Sequence, residues 1–405
     1  MIERIEGGVT AAHGFRAAGV HCGIRHNRKK RDLSLIVSEC RAAAAAVYTQ
    51  NLVKGAPLTV TKEHIRDGYA SAILCNSGNA NTCNADGIEV AEAMSALVAG
   101  ELGIPAEDVV IASTGVIGQP LPLAPIREGI PALVSALSED GSEAAAEGIM
   151  TTDVMRKEIA VSFTVGGVTC RLGGIAKGSG MIHPNMATML VFLTSDVSIT
   201  PSLLQKAVSS DVADTFNMIS IDGDTSTNDM VVLLANGMAG NPTITEEGCD
   251  FNAFCAALNT VTTYLCRKIA ADGEGATKLL ECRVTGAPCT ATAKAAAKSV
   301  ICSSLVKAAM FGADANWGRV LCALGYAGVA ISPERVAVSF LSAKGEVAVC
   351  RGGAGVPFSE EKAKEILLEK EITILVDLND GEAEATAWGC DLTYDYVKIN
   401  GDYRT

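Results

Sequence analysis

The stretch Lys177–Thr194, KGSGMIHPNMATMLVFLT, changes character at one peptide bond. Through Met186 it carries Gly, Ser, Pro and Asn, which turn the chain and rarely sit inside a helix or a central strand. From Thr188 onward it is apolar and partly β-branched, the pattern of a buried strand. Thr188 therefore stands where a loop delivers the chain into a core. A threonine hydroxyl is a weak nucleophile and needs a base beside it. Breaking the Ala187–Thr188 bond would supply one, because a free α-amine, with an unperturbed pKa of about 7.7–8.0, is partly neutral near neutral pH. Thr188 can make that cut itself. Its hydroxyl attacks the Ala187 carbonyl to give an ester that water opens, a shift that a strained turn beside a rigid strand favours. An ordinary loop entering a strand through a threonine has the same residues.

Other residues suit chemistry of the same kind. In VVIASTGVIGQPLP, Val109–Pro122, an apolar run ends at Thr-Gly before a proline-containing loop. Thr114 offers a hydroxyl and Gly115 an unhindered N–H. Two such donors at a strand end suit an oxyanion hole, each worth roughly 3 kcal/mol when preorganised, and they equally suit a plain strand-to-loop turn. Glu274 stands between two glycines, where a carboxylate is normally solvated; facing a pocket, it would pair with the side-chain ammonium of a basic amino acid. Lys177 offers the opposite charge for a carboxylate. One anion and one cation in a common cavity would select a zwitterion. IDGDTSTND carries three carboxylates, but the spacing fits no Ca²⁺ loop, and a hydrogen-bonded turn beneath the active site is expected instead.

KGSGMIHPNMATML resembles the signature of the ornithine acetyltransferases of arginine biosynthesis, the glutamate N-acetyltransferases that cleave themselves before this threonine. GGVTAAHGFRAAGV near the start and KINGDYRT at the end match as well, so the resemblance spans essentially the whole chain. It implies a layered α/β sandwich of the self-processing N-terminal-nucleophile type, with Thr188 as nucleophile and Ala187–Thr188 as the cleavage site. Thr114 and Gly115 become the oxyanion pair. Thr151, Lys177, Thr188, Glu274, Asn400 and Thr405 become substrate contacts, with Thr152 the rival of Thr151. The implied reaction is a ping-pong transfer of acetyl from N2-acetylornithine to glutamate through an acetyl-Thr188 ester, with no cofactor. Some members also accept acetyl-CoA, and the residues leave both donor sets open. The implied assembly is a pair of α and β chains, doubled to α2β2. The family usually has Pro where Ala315 stands. An N-terminal-nucleophile aminopeptidase or amidase of the same architecture is the rival enzymatic reading, and a catalytically idle binding protein the third.

The elements that must position these residues can be read in order. DLSLIVSE, AAAAVYTQN and YASAILCNSGNAN read as three strands of one sheet. GIEVAEAMSALVAGELG follows at helical spacing behind Asp86 as N-cap. EIAVSFTV and VTCRL read as a hairpin across Gly-Gly, delivering Lys177 to the loop before Thr188. PSLLQKAVSSDVADTFNMI and FNAFCAALNTVTTYLCRKIAADG read as helices. Composition turns Ala-, Thr- and Gly-rich around Thr285–Ala297, suggesting a boundary near residue 283. Beyond it, AKAAAKSVICSSLVKAAMFGADANWGRVLCALGYAG reads as two helices, and RVAVSFLS, EVAVCRGG, EITILVDL and EATAWGCDLTYDYVKI as strands. The expected α/β class thus comprises a catalytic sandwich domain over residues 1–282 and an α+β domain over 283–405 that closes the substrate site.

Composition excludes several classes. With 33 Lys plus Arg against 46 Asp plus Glu, the formal charge of −13 and the lack of a basic stripe disfavour nucleic acid and anionic membrane. The basic run Arg25–Arg31 reads as a solvated turn. No apolar run approaches a membrane span and the first residues lack a signal pattern, so a cytoplasmic protein is expected. Fourteen cysteines are scattered without CxxC and the five histidines show no ligand spacing, so no metal is expected. There is no GxxxxGK[ST], GxSxG or HExxH.

Overall fold

The computed structural model describes residues 2–183 and 189–401. Ala187, Thr188 and Thr405 lie outside the described residues. The chain is mixed α/β with two sheets and divides into two compact units. One comprises Met1–Gly178, Asn185–Phe216 and Thr225–Leu265; the other comprises Ser179–Pro184, Asn217–Asp224 and Cys266–Thr405. The compositional boundary near residue 283 falls inside the strand Leu279–Ala287, which pairs on both sides within the second unit.

The first unit is built on a nine-stranded sheet. Its central strands alternate apolar residues toward two separate cores. Leu33, Leu35, Ala72, Leu74, Val109 and Ile111 face one core, whereas Ile36, Ile73, Cys75, Val110 and Ala112 face the other. Period-two alternation with both faces apolar is what a sheet covered on both sides requires. Helices Gly87–Leu102 and Leu123–Ser135 cover the first face through Val90, Met94, Val98, Ile126, Ile130 and Leu133. Helix Ser142–Ile149 covers the second through Ala145, Ala146 and Ile149. Burying each of the larger side chains contributes about 1.5–3 kcal/mol, so the strand ends bearing candidate groups are fixed from both faces.

The expected hairpin is present: Lys157–Val165 pairs antiparallel with Val168–Lys177, turning at Gly166–Gly167. Strand Leu190–Ser195 then pairs with Val168–Lys177, Lys177 lying opposite Leu190, and runs parallel to Met230–Ala235. The strand after the proposed cleavage point is thus central in the sheet. DLSLIVSE and AAAAVYTQN are not two strands but one, Leu33–Tyr48. Glu39, Cys40 and Arg41 are exposed at its middle, where the register shifts between Val37 and Ala42; a bulge let the strand continue through residues that read as a break.

In the second unit, strand Leu279–Ala287 lies between Glu371–Asp377, parallel, and Ala383–Cys390, antiparallel. Helix Thr290–Cys302 packs on Leu279–Ala287 and Ala383–Cys390. Three helices stand where two were expected, because Ser303 ends Thr290–Cys302 and caps Ser304–Phe311 by accepting from Val306 N; Trp317–Gly325 follows. The last expected strand stops at Cys390, and the tail forms the helix Tyr394–Gly401. Thr393 Oγ1 accepts from Tyr396 N at its start, with Asp395 in the first turn and Lys398 in the last, and these end effects override the β propensity of Tyr, Val and Ile. Among the described residues no helix is long and apolar enough to cross a membrane.

Candidate active site

Thr114 and Gly115 follow the strand Val109–Ser113 in the first unit. Thr114 N donates to Asn76 O at 2.9 Å, extending the parallel pairing by one residue. Gly115 has φ of +132°, and a Cβ there would meet Gly78 C and Asn79 N, each at 2.8 Å. Backbone on that side cannot retreat, so the position admits glycine alone. Among the described residues no acceptor meets the Gly115 N–H.

The backbone opposite Gly115 belongs to the loop Asn76–Thr82, and amide side chains hold it. Asn76 donates to Ser113 Oγ at 2.6 Å and accepts from Asn79 N at 3.1 Å. Asn79 accepts from Asn81 N at 2.7 Å and donates to Gln119 O at 3.0 Å. Asn228, from a distant segment, donates to Ala80 O at 2.6 Å and Ser113 O at 3.0 Å while accepting from the hydroxyls of Thr82 and Thr227. Arg25, expected to be solvated, donates to Ser77 O at 2.9 Å and Met150 O at 2.6 Å. Each bond contributes about 0.5–1.5 kcal/mol net, but leaving one of these buried groups unpaired would cost more.

Lys177 ends its strand buried, with Nζ 3.4 Å from Thr114 Oγ1. Burial pushes its ammonium below the usual lysine range; the charge of Asp153 resists, that of Lys157 adds to the fall, and Asp229 and Cys75 resist more weakly. Asp153 is itself buried and accepts from Lys157 Nζ at 2.6 Å, Gly178 N at 2.7 Å and Thr151 N at 2.9 Å. Burial alone would raise its carboxyl, yet the charges of Lys157 and Lys177 and the Gly178 N–H hold it well below the usual carboxylate range. Thr151 is partly buried, its carbonyl accepting from Lys30 Nζ at 3.5 Å. The structure thus brings Thr114 and Lys177 together, and ties Thr151 to the residue after Lys177 through Asp153.

The second unit holds Glu274 and Asn400. Glu274 is buried, its N–H donates to Ser179 O at 2.8 Å, and its Oε2 accepts from Asn400 Nδ2 at 2.7 Å. Gly180 lies against the carboxylate, where a Cβ would come within 2.4 Å of Glu274 Oε2. Ser179 Oγ donates to Asp272 O at 2.6 Å. Asp222 of the IDGDTSTND stretch accepts from Met181 N at 2.6 Å, Ile182 N at 2.9 Å and Asp224 N at 3.2 Å. That stretch is a hydrogen-bonded turn, as expected. Tyr396 donates to Asp222 at 3.3 Å; burial and the Asp222 charge push its phenol above the usual range. Two residues some 126 positions apart, both expected to touch substrate, are therefore in direct contact.

Asp153, Asn76, Asn79 and Asn228 are not among the candidates read from the sequence, and Asn76, Asn79 and Asn228 each bond across 37 or more positions. A signal for the first was available: Asp153 and Lys157 stand four apart just before a strand, and neither residue type is buried without a partner.

The model of the ArgJ family matches residues 16–405. The arginine biosynthesis bifunctional protein ArgJ of Symbiobacterium thermophilum is 51% identical over 406 residues, covering 100% of both chains. Its counterpart in Caldanaerobacter subterraneus subsp. tengcongensis is 50% identical over 405 residues, again covering 100% of both. The crystal structure of arginine biosynthesis bifunctional protein ArgJ from Bacillus halodurans is 46% identical with a TM-score of 0.51, covering 53% of this chain and 99% of that one.

Proposed function

The chain belongs to the ArgJ family, and on that premise we propose that it moves the acetyl group of N2-acetylornithine to glutamate by a ping-pong mechanism. It is an acetyltransferase of arginine biosynthesis. Thr188 Oγ1 first attacks the Ala187 carbonyl, and water opens the resulting ester to leave a free α-amine on Thr188. That amine then takes the proton of the Thr188 hydroxyl as the oxygen attacks the acetyl carbonyl. Thr114 Oγ1 and Gly115 N donate to the oxyanion that develops. Collapse, with the Thr188 ammonium returning that proton to the leaving nitrogen, releases ornithine and leaves acetyl-Thr188, from which the amine of glutamate takes the acetyl group. Lys177 binds a carboxylate, Glu274 and Asn400 receive the side-chain ammonium of ornithine, and Thr151 and Thr405 complete the contacts.

The observation that carries this reading is the Thr114–Gly115 corner. A hydroxyl and an N–H stand at a strand end, where Gly115 admits no Cβ and the facing loop is cross-linked, so that the backbone donor need not reorganise as charge appears.

In this reading the two fragments stay paired, since strand Leu190–Ser195 hydrogen-bonds to Val168–Lys177 across the break, and two such pairs form an α2β2 assembly. The reading is of a cytoplasmic enzyme, and it leaves acetyl-CoA open as a second acetyl donor for glutamate. The test is acetyl transfer from N2-acetylornithine with and without glutamate. Acetylglutamate should form with the native chain and not with Thr188→Ala. Free acetate released at a rate indifferent to glutamate would instead mark an aminopeptidase or amidase.

A further inference from the structure

Asp153 is a buried carboxylate that takes no part in the reaction as described, yet it joins the two segments that bear Thr151 and Lys177, with Lys157 as a third partner. We infer that Asp153 is the positioning residue of the oxyanion corner, holding Lys177 so that its ammonium orients the Thr114 hydroxyl. The inference rests on the reading of Thr114 as an oxyanion donor.

The geometry runs in one direction. Asp153 Oδ1 accepts from Gly178 N at 2.7 Å, which fixes the backbone one residue beyond Lys177. Its Oδ2 accepts from Thr151 N at 2.9 Å, which fixes the preceding loop. Lys157 Nζ, buried at the start of the neighbouring strand, donates to Oδ1 at 2.6 Å. Asp153 therefore sets where strand Val168–Lys177 ends, and from that end Lys177 Nζ reaches Thr114 Oγ1 at 3.4 Å. An ammonium has donors and no acceptor. A hydroxyl beside it must accept from it, and this leaves the Thr114 O–H to donate elsewhere. Lys177 thereby presets a rotor that would otherwise turn freely, and polarises the O–H it leaves exposed.

The charges act through the same contacts. The groups acting on Lys177 are Asp153, Lys157, Asp229 and Cys75. Asp153 and Asp229 favour the ammonium, whereas burial and Lys157 oppose it. A neutral Lys177 amine can accept as well as donate, and the Thr114 proton could then turn inward to it. Activity should therefore fall on the alkaline side as Lys177 loses its proton, and the two neighbours should move that limb in opposite directions.

The experiment measures kcat and KM against pH for acetyl transfer to glutamate, on protein whose 187- and 218-residue fragments are confirmed by mass. Asp153→Asn should lower kcat roughly tenfold or more, with a smaller change in KM, and move the alkaline limb to lower pH. Lys157→Met, which removes an opposing charge, should move that limb to higher pH. If Asp153→Asn fails to fold because Lys157 loses its carboxylate partner, the double variant Asp153→Asn with Lys157→Met removes both charges and should still lose kcat at least fivefold. A purely structural Asp153 would alter thermal stability while leaving kcat and both limbs of folded protein unchanged, and that result overturns the inference. Absence of transfer by the native chain would instead overturn the functional reading beneath it.

Discussion

In the first unit the candidate groups sit at strand ends held from both faces of a sheet. Lys177, Asp153, Asn76, Asn79 and Asn228 are all buried; Asn76 accepts from Asn79 N, Asn228 donates to Ser113 O, and Asp153 accepts from Gly178 N, the residue after Lys177. In the second, Glu274 sits on a loop between two glycines, and its amide donor, Asn400, comes from the helix Tyr394–Gly401, none of whose residues is buried. The first corner is stiff because every displacement would leave a buried polar group unpaired. The second is held by one backbone bond, from Glu274 N to Ser179 O, and by a helix with little apolar area behind it. Electrostatic preorganisation needs fixed donors, whereas a binding contact to a long flexible ammonium tolerates adjustment. That difference fits the roles proposed for the two pairs, Thr114 and Gly115 as oxyanion donors and Glu274 and Asn400 as contacts to a substrate ammonium.

The contrast orders the effects of substitution. Gly115→Ala places a Cβ 2.8 Å from Gly78 C in a backbone region that disfavours it, so kcat should fall roughly 10²–10³-fold as the donor is displaced. A loss in KM alone would break the distinction between the corners. Glu274→Gln should raise KM for N2-acetylornithine by roughly tenfold to a hundredfold with kcat largely kept, the value of one hydrogen bond to a charged group. Steady-state kinetics with ornithine donors of different chain length would sharpen the point, since the penalty should vanish for donors lacking a side-chain ammonium. Asn400→Ala should raise the same KM roughly twofold to tenfold, because it removes one neutral donor and leaves Glu274 N bonded to Ser179 O. Should Asn400→Ala exceed Glu274→Gln in its effect, the tail would be the main determinant of binding.

Much of the first corner was legible in the sequence, and the reasons are local. The Thr-Gly pair follows an apolar pentapeptide, and the paired glycines at 166 and 167 mark a hairpin that ends at Lys177. What escaped is non-local. Asn228 reaches Ala80 across 148 positions, and no spacing rule links them. The continuous strand Leu33–Tyr48 escaped because its exposed Glu39–Arg41 imitates a turn. The helix Tyr394–Gly401 escaped because Tyr, Val and Ile favour strands when counted, while the decisive groups, Thr393 and the end charges, act by position. The compositional boundary near residue 283 followed an alanine-rich stretch that belongs to a helix packed on the strand it was meant to separate.

The central claim is that the chain breaks itself before Thr188 and that the new terminus is both nucleophile and base. Intact-mass analysis with amino-terminal sequencing of the mature protein tests it most directly. The account predicts fragments of 187 and 218 residues, the second beginning Thr-Met-Leu-Val, and a single uncut chain for Thr188→Ala. Met1 as the sole amino terminus of protein that still exchanges acetyl groups at full rate would contradict it.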